Sequence, residues 1–175
     1  MKEHPILFKA EMVRALMAGV KTQTRRTNLK TKYAVGDRLW VKETWTLGRI
    51  DQGDEPDGFP GKLFISQCAD ENDLLFRASL REYGVDEDDE VVWKPSLFMS
   101  RKQSRLTLEI IALREERLRD ITDADALAEG VHSDNPAEQA PYGQYRQLWE
   151  SINGPGSFDL NPVVKVITFK VVGQS

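Results

Sequence analysis

The stretch Leu16–Arg26, "LMAGVKTQTRR", sets one lysine, two threonines and two arginines within the six positions from Lys21 to Arg26. Lys21 and Thr24 are the reactive pair. A lysine ammonium cannot accept a proton, but partial burial and crowding by Arg25 and Arg26 lower its pKa and release the neutral amine. A neutral amine beside a threonine hydroxyl is the base-and-nucleophile arrangement of acyl transfer, which needs neither histidine nor metal. Lys21 and Thr24 share a side in a helical or turn conformation and point to opposite faces in a strand. Gly19, just before them, favours the turn. The site also needs an orienting group and a means of stabilising an oxyanion. Glu129 is the candidate orienter. It ends a short helix, where the macrodipole disfavours a carboxylate, and pairing with Lys21 or Arg26 would compensate. The competing expectation is an exposed Glu129 screened by water.

Two further groups carry polar chemistry. In "RLWVKETW" a strand from Arg38 to Trp45 puts Leu39, Val41, Glu43 and Trp45 on one face, so Glu43 needs a cationic partner, in a bracing ion pair or in a site. In "WKPSLFMSRKQSR" Trp93 can stack on a base while Lys94, Ser96 and Arg101 reach polar edges or phosphate. Alternatively Trp93, Leu97 and Met99 close a core and the polar residues are solvated.

The elements that must hold these residues follow from periodicity. Met12, Val13, Leu16 and Met17 form an apolar stripe over Lys9–Ala18, a helix that Gly19 caps. A turn at Gly36-Asp37 precedes the strand with Glu43. Residues 46–92 read as an irregular insertion with loop "DQGDEPDGFPG", acidic run "DEDDE" and a short strand in "LLFRASL"; "VVWKPSLFM" is extended and limited by Pro95 to an edge. "SRLTLEIIAL" alternates, with Leu106, Leu108, Ile110 and Ala112 inward. Thr122 and Asp125 are spaced as a capping box for a helix from Asp123 to Glu129 that Gly130 stops. Pro141 opens another, with Tyr145, Leu148, Trp149 and Ile152 on one face. "PVVKVITFKVV" is apolar on both faces, as in an interior strand. Strands and helices do not alternate as βαβ units, so the expected class is α+β: a small β-barrel with helices around it.

Length and composition, 175 residues at 40% hydrophobic and 30% charged, suit one domain over 1–175. No apolar run reaches the roughly 20 residues of a membrane span and no signal peptide is evident, so the expectation is a cytoplasmic protein without membrane contact. One cysteine and two histidines exclude an internal disulfide and make a metal site an unexpected feature; no metal, no cofactor and no obligate protein partner are expected. The net charge of −4 conceals a basic first third: residues 1–50 carry 11 Lys/Arg against 4 Asp/Glu, residues 51–100 carry 4 against 13. That balance fits a nucleoside or short RNA ligand better than a long duplex.

"AGVKTQTRR" resembles the signature loop of the ASCH domain, a branch of the PUA-like superfamily, in which a helix-ending Gly-x-Lys precedes an Arg five positions after the Lys: here Gly19, Lys21 and Arg26. "GDRLWVKETW", "WKPSLFM", "SRLTLEI", "DALAEGV" and "LWESINGPGSFDLNP" resemble successive blocks of the larger, often phage-associated ASCH proteins, covering most of the chain outside about 46–76. The loop is also similar to that of the small bacterial amidohydrolases of N4-acetylcytidine, whose catalytic lysine, threonine and glutamate correspond to Lys21, Thr24 and Glu129. The resemblance implies a PUA-like barrel and hydrolysis of an N4-acylated cytidine or related nucleoside. A non-catalytic RNA-binding module, or a ribonuclease, using the same basic cleft is the alternative. Many ASCH domains carry Glu at the position of Thr24, and Phe98 stands where related sequences lead one to expect His.

Overall fold

The computed structural model describes residues 1–27, 30, 32–54, 60–66, 73–83, 92–131 and 140–174. The acidic run 86–90 and residues 55–59 of the expected loop lie outside them. The class is mixed α+β. In chain order the elements are β1 (Glu3–Leu7), α1 (Ala10–Met17), β2 (Gln23–Arg26), β3 (Arg38–Lys42), β4 (Trp45–Leu47), β5 (Arg49–Asp54), β6 (Pro60–Ser66), β7 (Leu74–Phe76), β8 (Leu106–Arg117), α2 (Asp123–Ala128), α3 (Pro141–Asn153) and β9 (Val163–Gln174). Five strands hydrogen-bond in the order β1-β3-β8-β9-β2. The order is open-ended, and among the described residues no closed barrel is formed.

The chain divides into two compact units, one of Met1–His4, Ala15–Leu39 and Leu106–Ser175, the other of Pro5–Arg14 and Trp40–Arg105. In the first, β8 and β9 form a long antiparallel ladder and β2 pairs with the other edge of β9. Leu106, Leu108 and Ile110 are buried as the alternation predicts, but Ala112 is exposed. The cause is a bulge between Ile110 and Ala112, which leaves Ile111 out of the register and reverses the inward parity. β9 is interior in the sheet, with Val164, Val166, Ile167 and Phe169 buried.

A core of Leu118, Ile121, Ala126, Val131, Tyr145, Trp149, Phe158, Val164 and Val166 joins α2, α3 and β9. Leu148 packs partly against it, whereas Ile152 is exposed, so the apolar stripe of α3 ends one turn earlier than its sequence suggests. α2 begins on the expected capping box, the Thr122 hydroxyl accepting from the Asp125 amide and the Asp125 carboxylate accepting in return. It ends at Glu129 and at Gly130, whose φ of +84° is the left-handed stop.

In the second unit β4 pairs with β7 and β5 with β6, so part of the expected irregular insertion is regular antiparallel structure. Leu74–Phe76 is the strand in "LLFRASL", followed by a 3-10 helix over Arg77–Tyr83.

Candidate functional site

The basic stretch is not the helical turn expected. Thr22 N–H donates to the Ala128 carbonyl and Phe169 N–H to the Thr22 carbonyl, and from Gln23 the chain runs as β2 along β9. The register sets Thr24 opposite Ile167 and Arg25 opposite Val166, which in turn pairs with Arg114 of β8. Directly opposed residues share a face, so Arg25, Val166 and Arg114 line one face and Thr24, Ile167 and Leu113 the other. The turn argument for pairing Lys21 with Thr24 therefore does not apply to residues 23–26, and Lys21 reaches its partners from just ahead of the strand.

Lys21 is 2% exposed and Glu129 4%. The Lys21 ammonium donates to Glu129 Oε2 at 2.8 Å, to the Glu129 carbonyl at 2.7 Å and to the Gln23 carbonyl at 2.8 Å. The expected partnership of Glu129 with Lys21 is present, and the screened, exposed Glu129 is not. Two features bring the helix end to the lysine. The Thr22–Ala128 hydrogen bond ties α2 to the chain entering β2, and Gly130 has no Cβ where one would stand 2.9 Å from Ala15 Cβ and 3.0 Å from Lys21 Cβ. Burial lowers the Lys21 pKa below its ordinary value; Glu129 opposes that, and Arg26 and Arg25 reinforce it. The two arginines act in the expected direction, but burial is the larger cause.

The second cation on Glu129 is Arg25, with Nη1 donating to Oε1 at 3.1 Å. Its Nε and Nη2 donate to Glu116 Oε1 at 2.9 and 2.8 Å, and Nη2 lies 3.5 Å from Asp125 Oδ2. Burial works against the Arg25 charge, yet Glu129 and Glu116 outweigh it and raise its pKa. Arg114 binds the outer oxygens, Glu116 Oε2 and Asp125 Oδ1, each at 2.8 Å. Sequence reasoning assigned Glu129 to Lys21 or Arg26 and missed Arg25, Glu116 and Asp125. The signal was parity: once Gln23–Arg26 is a strand, Arg25 and not Arg26 lies on the face covered by α3, 5.8 Å from the Tyr145 ring. Arg26 is half-buried on the Thr24 face, opposite Lys165, with its charge disfavoured by burial and supported by Glu129. Thr24 is itself buried, 4% exposed.

No protein-family model, curated protein or solved structure matches this chain. The residues themselves therefore carry the functional argument.

The remaining candidates lie in the second unit. Glu43 is buried and held bidentately by Arg105, Nε to Oε1 and Nη2 to Oε2, each at 2.9 Å. Arg105 also donates to Ser79 Oγ at 2.8 Å and lies 4.1 Å from the Phe76 ring centre. This is the bracing ion pair, with both carboxylate oxygens engaged. Lys94 forms a two-hydrogen-bond bridge with Trp45, and its ammonium lies 4.6 Å from the Trp45 ring. Trp93 is half-buried, Ser96 begins a 3-10 turn and Arg101 is exposed. Met99 is buried as one reading of this block required, but Leu97 is 62% exposed and closes no core. Among the described residues no group of three or more His, Cys, Asp or Glu is arranged to hold a metal, and no helix is long and apolar enough to cross a membrane.

Proposed function

We propose that the chain is an ASCH-type, PUA-like protein that hydrolyses the exocyclic amide of an N4-acylated cytidine or related nucleoside. The observation that carries this reading is the buried Lys21–Glu129 pair at 2.8 Å, in which burial and two arginines weaken the hold of the amine on its proton. Thr24 is buried on the face of β2 opposite Arg25 and supplies the hydroxyl in this reading, so the amine must turn from the Gln23 carbonyl towards that face to reach it. Once Lys21 has lost a proton to solvent and let go of one acceptor, the neutral amine takes the Thr24 proton. The alkoxide attacks the amide carbonyl, and the C–N4 bond breaks as Lys21 passes that proton to N4. Cytidine leaves. Water then attacks the acyl ester, Lys21 takes a proton from it and returns one to Thr24, and the carboxylate is released. Glu129 orients the amine and stabilises it while protonated; Arg26, on the Thr24 face, is assigned to the oxyanion.

One observation favours the alternative, a non-catalytic module for RNA or a phosphate. Three acceptors within 2.8 Å match the three hydrogens of a charged ammonium. One experiment separates the two. Purified protein incubated with N4-acetylcytidine releases cytidine and acetate if the hydrolase reading holds. No turnover, together with oligoribonucleotide binding that weakens steeply with salt, would replace it with the binding module.

A further inference from the structure

The guanidinium of Arg25 lies between the lysine–glutamate pair and the acidic groups of two other elements. It donates to Glu129 from α2's end and to Glu116 from β8, and lies beside Asp125 of α2. Its side chain is fully buried, while the outermost cation of the chain of charges, Arg114, is 41% exposed. Lys21 and Arg25 take different oxygens of the Glu129 carboxylate. A carboxylate held at both oxygens cannot rotate away from the amine, and the planar fork that reaches two or three carboxylates at once is available to arginine and not to lysine.

We infer that Arg25 is a positioning residue, which locks Glu129 against Lys21 by holding the second oxygen of its carboxylate and sets the charge around that amine. The catalytic part of the inference rests on the hydrolase reading; the titration part does not. Among the described residues, the charged groups acting on Lys21 include Glu129, Arg25 and Arg26, and the titratable groups facing Arg25 include Glu129, Glu116, Asp125 and the Tyr145 phenol. Tyr145 stays protonated, since burial and the Glu129 charge push its pKa up. Two effects of removing the Arg25 charge have the same sign. A cation that disfavours the Lys21 charge is lost, and the whole of Glu129 becomes available to stabilise it. The amine therefore holds its proton to higher pH.

The test follows Lys21 itself. The 13Cε resonance of Lys21 in 13C-lysine-labelled protein, assigned by its loss in Lys21→Gln, is titrated alongside the pH–rate profile on N4-acetylcytidine. Arg25→Gln is expected to move the Lys21 midpoint upward by about one pH unit, and the rising limb of kcat with it. Arg25→Lys, which keeps the charge and loses the fork, leaves the midpoint near its original place while kcat falls by about tenfold or more. Because Arg25→Gln alone leaves buried carboxylates uncompensated, Arg25→Gln/Glu116→Gln removes the paired charge as well and is expected to show the same upward shift in a folded protein. An unmoved Lys21 midpoint in both glutamine variants overturns the inference, whether or not the substrate turns over. Absence of turnover in the unmodified protein, with the midpoint shifted as expected, overturns the hydrolase reading and leaves Arg25 as the residue that sets the lysine.

Discussion

Replacing Glu129 by Gln keeps the shape of the side chain and removes the anion that two buried cations share. Breaking a buried ion pair by deleting one partner costs about 3–5 kcal/mol, because the other charge stays behind in a poorly solvating interior. Here both cations keep other acceptors: Lys21 has the Gln23 and Glu129 carbonyls, and Arg25 has Glu116 and Asp125. The loss therefore falls at the lower end, about 3 kcal/mol. For a chain of 175 residues that lowers Tm by about 6–12 °C, at 2–4 °C per kcal/mol. Lys21→Met strands one oxygen of Glu129 while Arg25 retains the other, so it costs less, about 2 kcal/mol. Adding Lys21→Met to Glu129→Gln removes a charge that the first change had left short of a partner, and the double variant is expected to recover about 1–2 kcal/mol relative to the sum. Urea unfolding of the four proteins in a double-mutant cycle reads this directly. Additivity within about 0.5 kcal/mol, or single effects no larger than the fraction of a kcal/mol typical of exposed pairs, would refute the description of Lys21–Glu129 as a buried, coupled pair.

The same geometry fixes three other outcomes. Gly130→Ala needs a left-handed φ of +84° and places a methyl 2.9 Å from Ala15 Cβ, so it is expected to destabilise by about 2–3 kcal/mol in thermal melts and to impair Lys21 function, whereas Gly36→Ala, whose added Cβ would meet nothing within 4 Å, suffers only the backbone strain of about 1 kcal/mol. The Lys21 pKa is lower in the folded chain than in the unfolded one, so between the two values the unfolded chain binds more protons; unfolding free energy relative to Lys21→Met is expected to rise with pH through that window up to about 10.5 and to be flat below it, as measured by urea titrations from pH 7 to 11. In the second unit, Glu43→Gln removes the anion and one of the two acceptor oxygens that Arg105 holds, and is expected to lose about 3 kcal/mol of stability without changing the Lys21 titration.

What the sequence made legible was mostly local. The Thr122–Asp125 box, the Gly130 stop and Pro141 at the head of α3 are dictated within four residues of themselves and stand as expected. Alternation from Leu39 to Trp45 placed Glu43 on a buried face, and burial there demanded the cation that Arg105 supplies. What escaped was set by partners distant in sequence. Gln23–Arg26 has no strand composition; β9 makes it a strand, and with it the face of Arg25. β1 holds a proline in five residues, which hides the strand in the sequence. The bulge at Ile111 that turns Ala112 outward has no marker in a run of β-branched and aliphatic side chains. Of the site, helix electrostatics called for a cation on Glu129 and left Lys21, Arg26 and an exposed Glu129 open; the Lys21 pairing across 108 positions is one of these, while the arginine that completes it depended on the unrecognised strand.

The most direct test of the account compares Thr24→Ser with Thr24→Ala for release of cytidine from N4-acetylcytidine. If the hydroxyl at this position is the nucleophile, Ser retains turnover within about tenfold and Ala loses about a thousandfold or more. Equal turnover in the two variants, with Lys21 and Glu129 intact, would contradict it.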